Sequence, residues 1–223
     1  MTPFRQLFDP CSSSYTYLLA DAGAREAVII DCTRSQTVTV LALLDELGLR
    51  LSYALQTHVH DGEEDAAAAL RARTRARAAL GVDCGAPWAD EGLRHGDGVV
   101  FGNQEIRVLG TPGHTRGCVS YLWQDRVFTG DALQIGGCGL PDPHSGDAGV
   151  LFDSITRRLF VLPAETLVYP AHDYRGRTVS TIGEERAHNP YFAQRTRDEF
   201  ITLTLAQAAL SRPEARGREG SSI

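Results

Sequence analysis

Four short segments place an imidazole or a carboxylate just beyond a run of apolar residues. They are Thr57-His58-Val59-His60, Thr111-Pro112-Gly113-His114, Thr129-Gly130-Asp131 and Tyr169-Pro170-Ala171-His172. Nitrogen and carboxylate donors delivered at strand ends are what a protein needs to hold a divalent metal at the rim of a sheet. One histidine in such a place is more often a satisfied structural residue than a ligand. Four segments in this order, each after an apolar strand, form a joint pattern that points to a metal site. In the H-x-H pair, both imidazoles can converge on one ion through the bend of the loop. The donors suffice for one well-furnished metal and are too few for two.

The elements that must position them follow from the hydrophobic pattern. Residues 4–8, 15–19 and 27–31 read as strands separated by Asp, Gly and Ser turns. A helix is expected over 37–47, with Val40, Leu41, Leu44 and Leu47 on one face and Gly48 just past its end. Residues 52–56 form the strand that delivers His58 and His60. Residues 63–80 read as a helix, and Asp61 with Glu64 resembles a capping box at its start. The strand pattern returns at 99–101, 106–109, 119–123 and 126–129. A Gly/Pro/Asp-rich loop spans 136–149, where surface loops often border sites. Helix is expected over 155–160 and 195–210, and strand over 166–169 leading to His172. Elements alternate in two halves, which predicts helices covering both outer faces of a β-sandwich.

Composition narrows the class. The 223 residues, 43% hydrophobic, suit one domain over 1–211, with 212–223 as a flexible tail. The net charge of −6 argues against a general binder of nucleic acid or anionic membranes. No apolar run reaches the roughly 18 residues of a membrane span, and the first 19 residues are too interrupted for a secretory signal. Five scattered cysteines, never spaced CxxC, fit a reducing cytoplasm better than a disulfide framework. Lysine is absent, which removes Schiff-base chemistry and a P-loop lysine. Arg71, Arg73, Arg75 and Arg77 spread over helix faces beside Glu63, Glu64 and Asp65 and read as solvated surface, not a nucleic-acid stripe. Cys138, in a Gly-Gly-Cys-Gly loop, reads as a small buried residue.

These segments resemble the metallo-β-lactamase superfamily, whose signature runs T-H-x-H-x-D-H, P-G-H-T, G-D and a late His. The resemblance sharpens to the persulfide dioxygenase (ethylmalonic encephalopathy protein-like) family through TPGHTRGCVSY, FTGDALQIGGCG and YPAHDYRG, and extends from about Phe4 to Pro190. It implies an α/β (α+β) chain folded as a four-layer αββα sandwich. It also implies one iron(II) per chain, held by residues matching His58, His114 and Asp131. Two histidines and a carboxylate with open positions opposite form the facial triad of non-haem iron oxygenases, which agrees. His60 and His172 are then expected just outside the ligand set, His172 paired with Asp173 or Tyr174. The implied reaction joins O2 to a thiol persulfide, glutathione persulfide first, giving sulfite and free thiol in a cytoplasmic enzyme; a homodimer is compatible with it.

Departures from the family pattern are specific. Gly62 and Glu63 stand where binuclear relatives carry Asp and His, so a second metal would keep only His172 and the bridging Asp131. Glu63 is expected to be a helix-start acid. Leu140 and Tyr191 replace family arginines, whose planar forks suit carboxylates. Tyr174, Arg175 and Arg186 are the candidate substrate contacts. The rival readings are a glyoxalase II-like thioester hydrolase using metal-bound hydroxide and a degenerate member that binds a thiol without turnover.

Overall fold

Strand β2 (Ser14–Asp21) is buried along all 8 of its residues, as only a strand covered on both faces can be. Tyr15, Tyr17 and Leu19 face one apolar cluster, and Leu18 and Ala20 face another. The computed structural model describes residues 4–60 and 66–211. Around β2, the first sheet runs in the order β1 (Phe4–Asp9), β2, β3 (Glu26–Ile30), β4 (Arg50–Leu55), β5 (Arg77–Gly81), β6 (Glu91–Leu93). The second sheet contains β7 (Gly98–Phe101), β8 (Gln104–Gly110), β9 (Val119–Trp123), β10 (Arg126–Gly130), β11 (Leu167–Pro170) and β12 (Ser180–Thr181), again in sequential order. Pairing is parallel from β3 to β6 and between β10 and β11, and antiparallel elsewhere.

Between the sheets lies an aromatic-rich core of Tyr17, Val28, Leu55, Tyr121, Trp123 and Phe128. Helices α1 (Thr37–Glu46) and α2 (Ala66–Thr74) cover the outer face of the first sheet with Val40, Leu44, Ala67 and Leu70. Helices α3 (Ala148–Ser154), α4 (Ile182–His188) and α5 (Arg197–Ser211) cover the second with Leu151, Ile182 and Phe200. The expected αββα layering is therefore present. With both sheets covered, a one-residue register slip would drive every core side chain to the wrong face.

The expected helix over 63–80 is not what forms. Helix α2 ends at Thr74, whose hydroxyl donates back to the Leu70 carbonyl at 2.7 Å, and Arg75 follows with φ +61°. Ala78, Ala79 and Leu80 then enter the parallel strand β5. An Ala/Arg run has high intrinsic helix propensity; pairing on both edges of β5 overrides it. Helix α3 begins well before the expected 155 and passes into a π-helical turn at Ile155–Leu159. The capping box of Asp61 and Glu64, the residues Gly62 and Glu63, and the tail 212–223 lie outside the described residues.

Candidate metal centre

Strand β4 ends at Leu55, and the chain turns through Gln56 and Thr57 to present His58. The turn is fixed from below by Asp31, one residue past β3, which sits at φ +52°. Its carboxylate accepts from the Thr57 amide at 2.7 Å and from the Thr57 hydroxyl at 2.9 Å. That hydroxyl lies 2.9 Å from His58 Nδ1. With its hydrogen committed to Asp31, the hydroxyl accepts from His58 Nδ1–H and leaves His58 Nε2 as a free lone pair. His114 is set the same way, donating from Nδ1 to the Leu140 carbonyl at 2.6 Å. A hydrogen bond to one ring nitrogen is how proteins choose the tautomer and aim of a metal-binding histidine.

Asp131 follows β10 and Gly130. A side chain at Gly130 is excluded, because its Cβ would stand 2.4 Å from Thr57 Oγ1, and the residue holds φ +57°. Asp131 divides its two oxygens. Oδ1 accepts from His172 Nδ1 at 2.7 Å and from Gln134 Nε2 at 3.2 Å. Oδ2 faces His58 Nε2 at 3.8 Å and His114 Nε2 at 3.7 Å. His60 Nε2 is 3.3 Å from His114 Nε2, and its Nδ1 is 3.7 Å from Asp142. Donor atoms of His58, His60, His114 and Asp131 all lie within 4.8 Å of one another. Gly139 backs this cluster, and a Cβ there would meet Asp131 and His114 Nδ1 at 2.9 Å.

Electrostatics keep these groups in the form a metal requires. Burial, then the neighbouring imidazoles, pushes His58 down to about 3 against the pull of Asp131, and burial also lowers His114. Both are therefore neutral donors through the physiological range. Burial works to raise Asp131, but the hydrogen bond from His172 and the facing imidazoles outweigh it and hold the carboxylate ionised. Nitrogen and oxygen donors of this number and spacing fit one divalent metal.

Positions expected from sequence fall into three groups. His58, His114 and Asp131 are brought together, as expected for a ligand trio. His60, expected outside the ligand set, lies beside the trio, its Nε2 3.3 Å from His114 Nε2 and within reach of the same point in space. His172 binds Asp131 Oδ1 and stacks on Tyr174 with ring planes 3° apart, while Asp173 accepts from the Tyr15 hydroxyl. Tyr174 and Arg175 line one cavity with His172, Cys138 and Tyr191. Arg186 does not reach it; its guanidinium is held by the Phe160 carbonyl at 2.9 Å. Cys138 is buried, and burial raises its thiol, consistent with a packing role. None of the five cysteines forms a disulfide. Sequence reasoning missed Asp31, although its signal was the same one: a carboxylate closing the apolar run Val28-Ile29-Ile30.

Residues 64–172 match the family model described as the metallo-beta-lactamase superfamily. The chain is 42% identical to the human protein named persulfide dioxygenase ETHE1, mitochondrial, covering 94% of this chain and 83% of that one. It is similar to hydroxyacylglutathione hydrolase of Cereibacter sphaeroides at 37% identity, over 77% of this chain and 68% of the relative. Among solved structures, ETHE1 from Myxococcus xanthus superposes with a TM-score of 0.89 at 49% identity, over 95% of this chain and 92% of that one.

Proposed function

The chain belongs to the persulfide dioxygenase family of the metallo-beta-lactamase superfamily, and we propose that it is a mononuclear iron(II) dioxygenase. It oxidises a thiol persulfide, glutathione persulfide first, with O2 to sulfite and free thiol. The observation that carries this reading is the convergence of two histidine Nε2 atoms and Asp131 Oδ2, with His60 beside them, in a family named for that chemistry. His58, His114 and Asp131 would hold the iron, which when bound supplies the open coordination positions and redox chemistry that dioxygen requires.

The chain's own residues do the rest. Asp31 and Thr57 aim His58, and the Leu140 carbonyl aims His114. His172 and Gln134 occupy one oxygen of Asp131, so that only the other faces the histidines. A persulfide is acidic enough to arrive ionised, and no general base is required of the protein. Tyr174 and Arg175, in the cavity beside His172, are the groups we assign to the organic part of the substrate. Arg175 is a guanidinium suited to a carboxylate. No helix among the described residues is long and apolar enough to cross a membrane; with five cysteines outside any disulfide, a reducing cytoplasm suits the reading.

Likeness to hydroxyacylglutathione hydrolase keeps one second reading in view, thioester hydrolysis. Iron-loaded protein assayed in an oxygen electrode separates the two. The dioxygenase consumes oxygen on addition of glutathione persulfide and forms sulfite. A hydrolase consumes none and releases thiol from an acylglutathione.

A further inference from the structure

Behind the loop that carries His114 lies a second concavity of about 210 Å³, bordered by Pro112, Gly117 and Cys118 of that loop. Its charged lining is one-sided. Arg94, Arg116, Arg158 and His95 face it, against the single acid Asp83. Arginines elsewhere hold carboxylates, as Arg71 holds Asp90 at 2.8 Å and Arg177 holds Glu184 at 2.7 Å. Among the described residues, no carboxylate lies within ion-pair reach of Arg94, Arg116 or Arg158. Their positive charge is therefore not offset by a paired carboxylate at this concavity.

Arg158 is the telling member. Its Nη1 is buried with no hydrogen-bond partner among the described residues, and it lies 3.8 Å from where a Cβ on Gly110 would stand, a point that His95 also borders. A guanidinium nitrogen removed from water without an acceptor is costly, so such groups normally have a partner. The π-helical turn at Ile155–Leu159 carries Arg158; such turns are rare and cluster at functional positions. The local field agrees. His95 is held below the ordinary imidazole range by burial and by the charges of Arg158 and Arg107.

We propose that this pocket binds a small, doubly charged inorganic oxyanion of the sulfate or phosphate type, with Arg158 as its buried anchor and Arg94 and Arg116 at its mouth. Planar guanidinium forks pair with such oxygens through short, charge-assisted bonds, and the volume suits an inorganic ion. The site is separate from the metal centre and does not depend on the reaction assigned there.

Calorimetric titration of the metal-loaded protein with sodium sulfate and with inorganic phosphate, at ionic strength held constant with sodium chloride, tests the proposal. Saturable binding of either oxyanion is expected, with chloride alone giving no heat. Arg158→Met should weaken it by about tenfold or more, as loss of a charge-assisted partner implies. Arg116→Met, at an exposed position that leaves packing intact, should weaken it severalfold. Arg73→Met, on the solvated face of α2, should leave it unchanged. Absence of saturable binding, or equal weakening by Arg73→Met and Arg116→Met, overturns the proposal.

Discussion

His172 Nδ1 sits 2.7 Å from Asp131 Oδ1, on the side of the carboxylate away from His58 and His114. The histidine thereby braces Asp131 without joining the cluster of candidate donors. His172→Ala is predicted to leave about one metal per chain, with affinity reduced roughly 10–100-fold, the usual cost of losing such a support. Elemental analysis after dialysis against defined free metal checks this. Loss of one of two ions would instead place His172 in a binuclear site.

His114→Ala and Asp131→Ala are each predicted to abolish iron retention and oxygen uptake. His60→Ala should retain iron at lower affinity, because His60 is the more exposed donor and leans toward Asp142 at 3.7 Å. Metal content after gel filtration, read beside the circular dichroism melt, separates lost ligation from lost folding. Equal metal loss in all three variants would make His60 an obligatory ligand.

Asp31 supplies a pH signature. Burial raises its carboxyl to about 7, against the two hydrogen bonds from Thr57. A folded value above the unfolded one means that its contribution to stability is full below the ordinary carboxylate range and is lost as pH rises through about 7. His58 runs the other way: lowered to about 3, it contributes above the ordinary imidazole value and loses that contribution as pH falls toward 3. In metal-free protein, the melting temperature of wild type minus that of Asp31→Asn should therefore increase as pH is lowered from 8 to 5. A constant difference over that range would contradict the assignment.

Leu140 touches the centre through its backbone carbonyl, which a side-chain replacement preserves, while its side chain lines a groove with Pro141, Ile201 and Leu205. Leu140→Arg should lower the apparent KM for glutathione persulfide severalfold by adding a fork for a carboxylate. No change in KM would show that this position does not contact the thiol.

The αββα layering was legible in sequence because apolar runs alternate with helical stretches at regular spacing. The cluster of candidate donors was legible because each of its members follows such a run. What stayed hidden depends on contacts distant in sequence. Strand β5 looked helical because Ala and Arg favour helix, and only its neighbours β4 and β6 make it a strand. Arg186 lies close to the site in sequence, yet its carbonyl partner Phe160 turns it away. His60 differs from His58 by two positions, and no spacing rule shows how near its ring comes to His114; the fold sets that approach at 3.3 Å.

Reconstitution under anaerobic conditions, followed by metal counting and an oxygen-electrode trace on one sample, bears most directly on the whole account. One ferrous ion per polypeptide and uptake of one O2 for each sulfite produced from persulfide is the predicted result. Two ions per polypeptide, with acylglutathione cleaved and the oxygen trace flat, would contradict it.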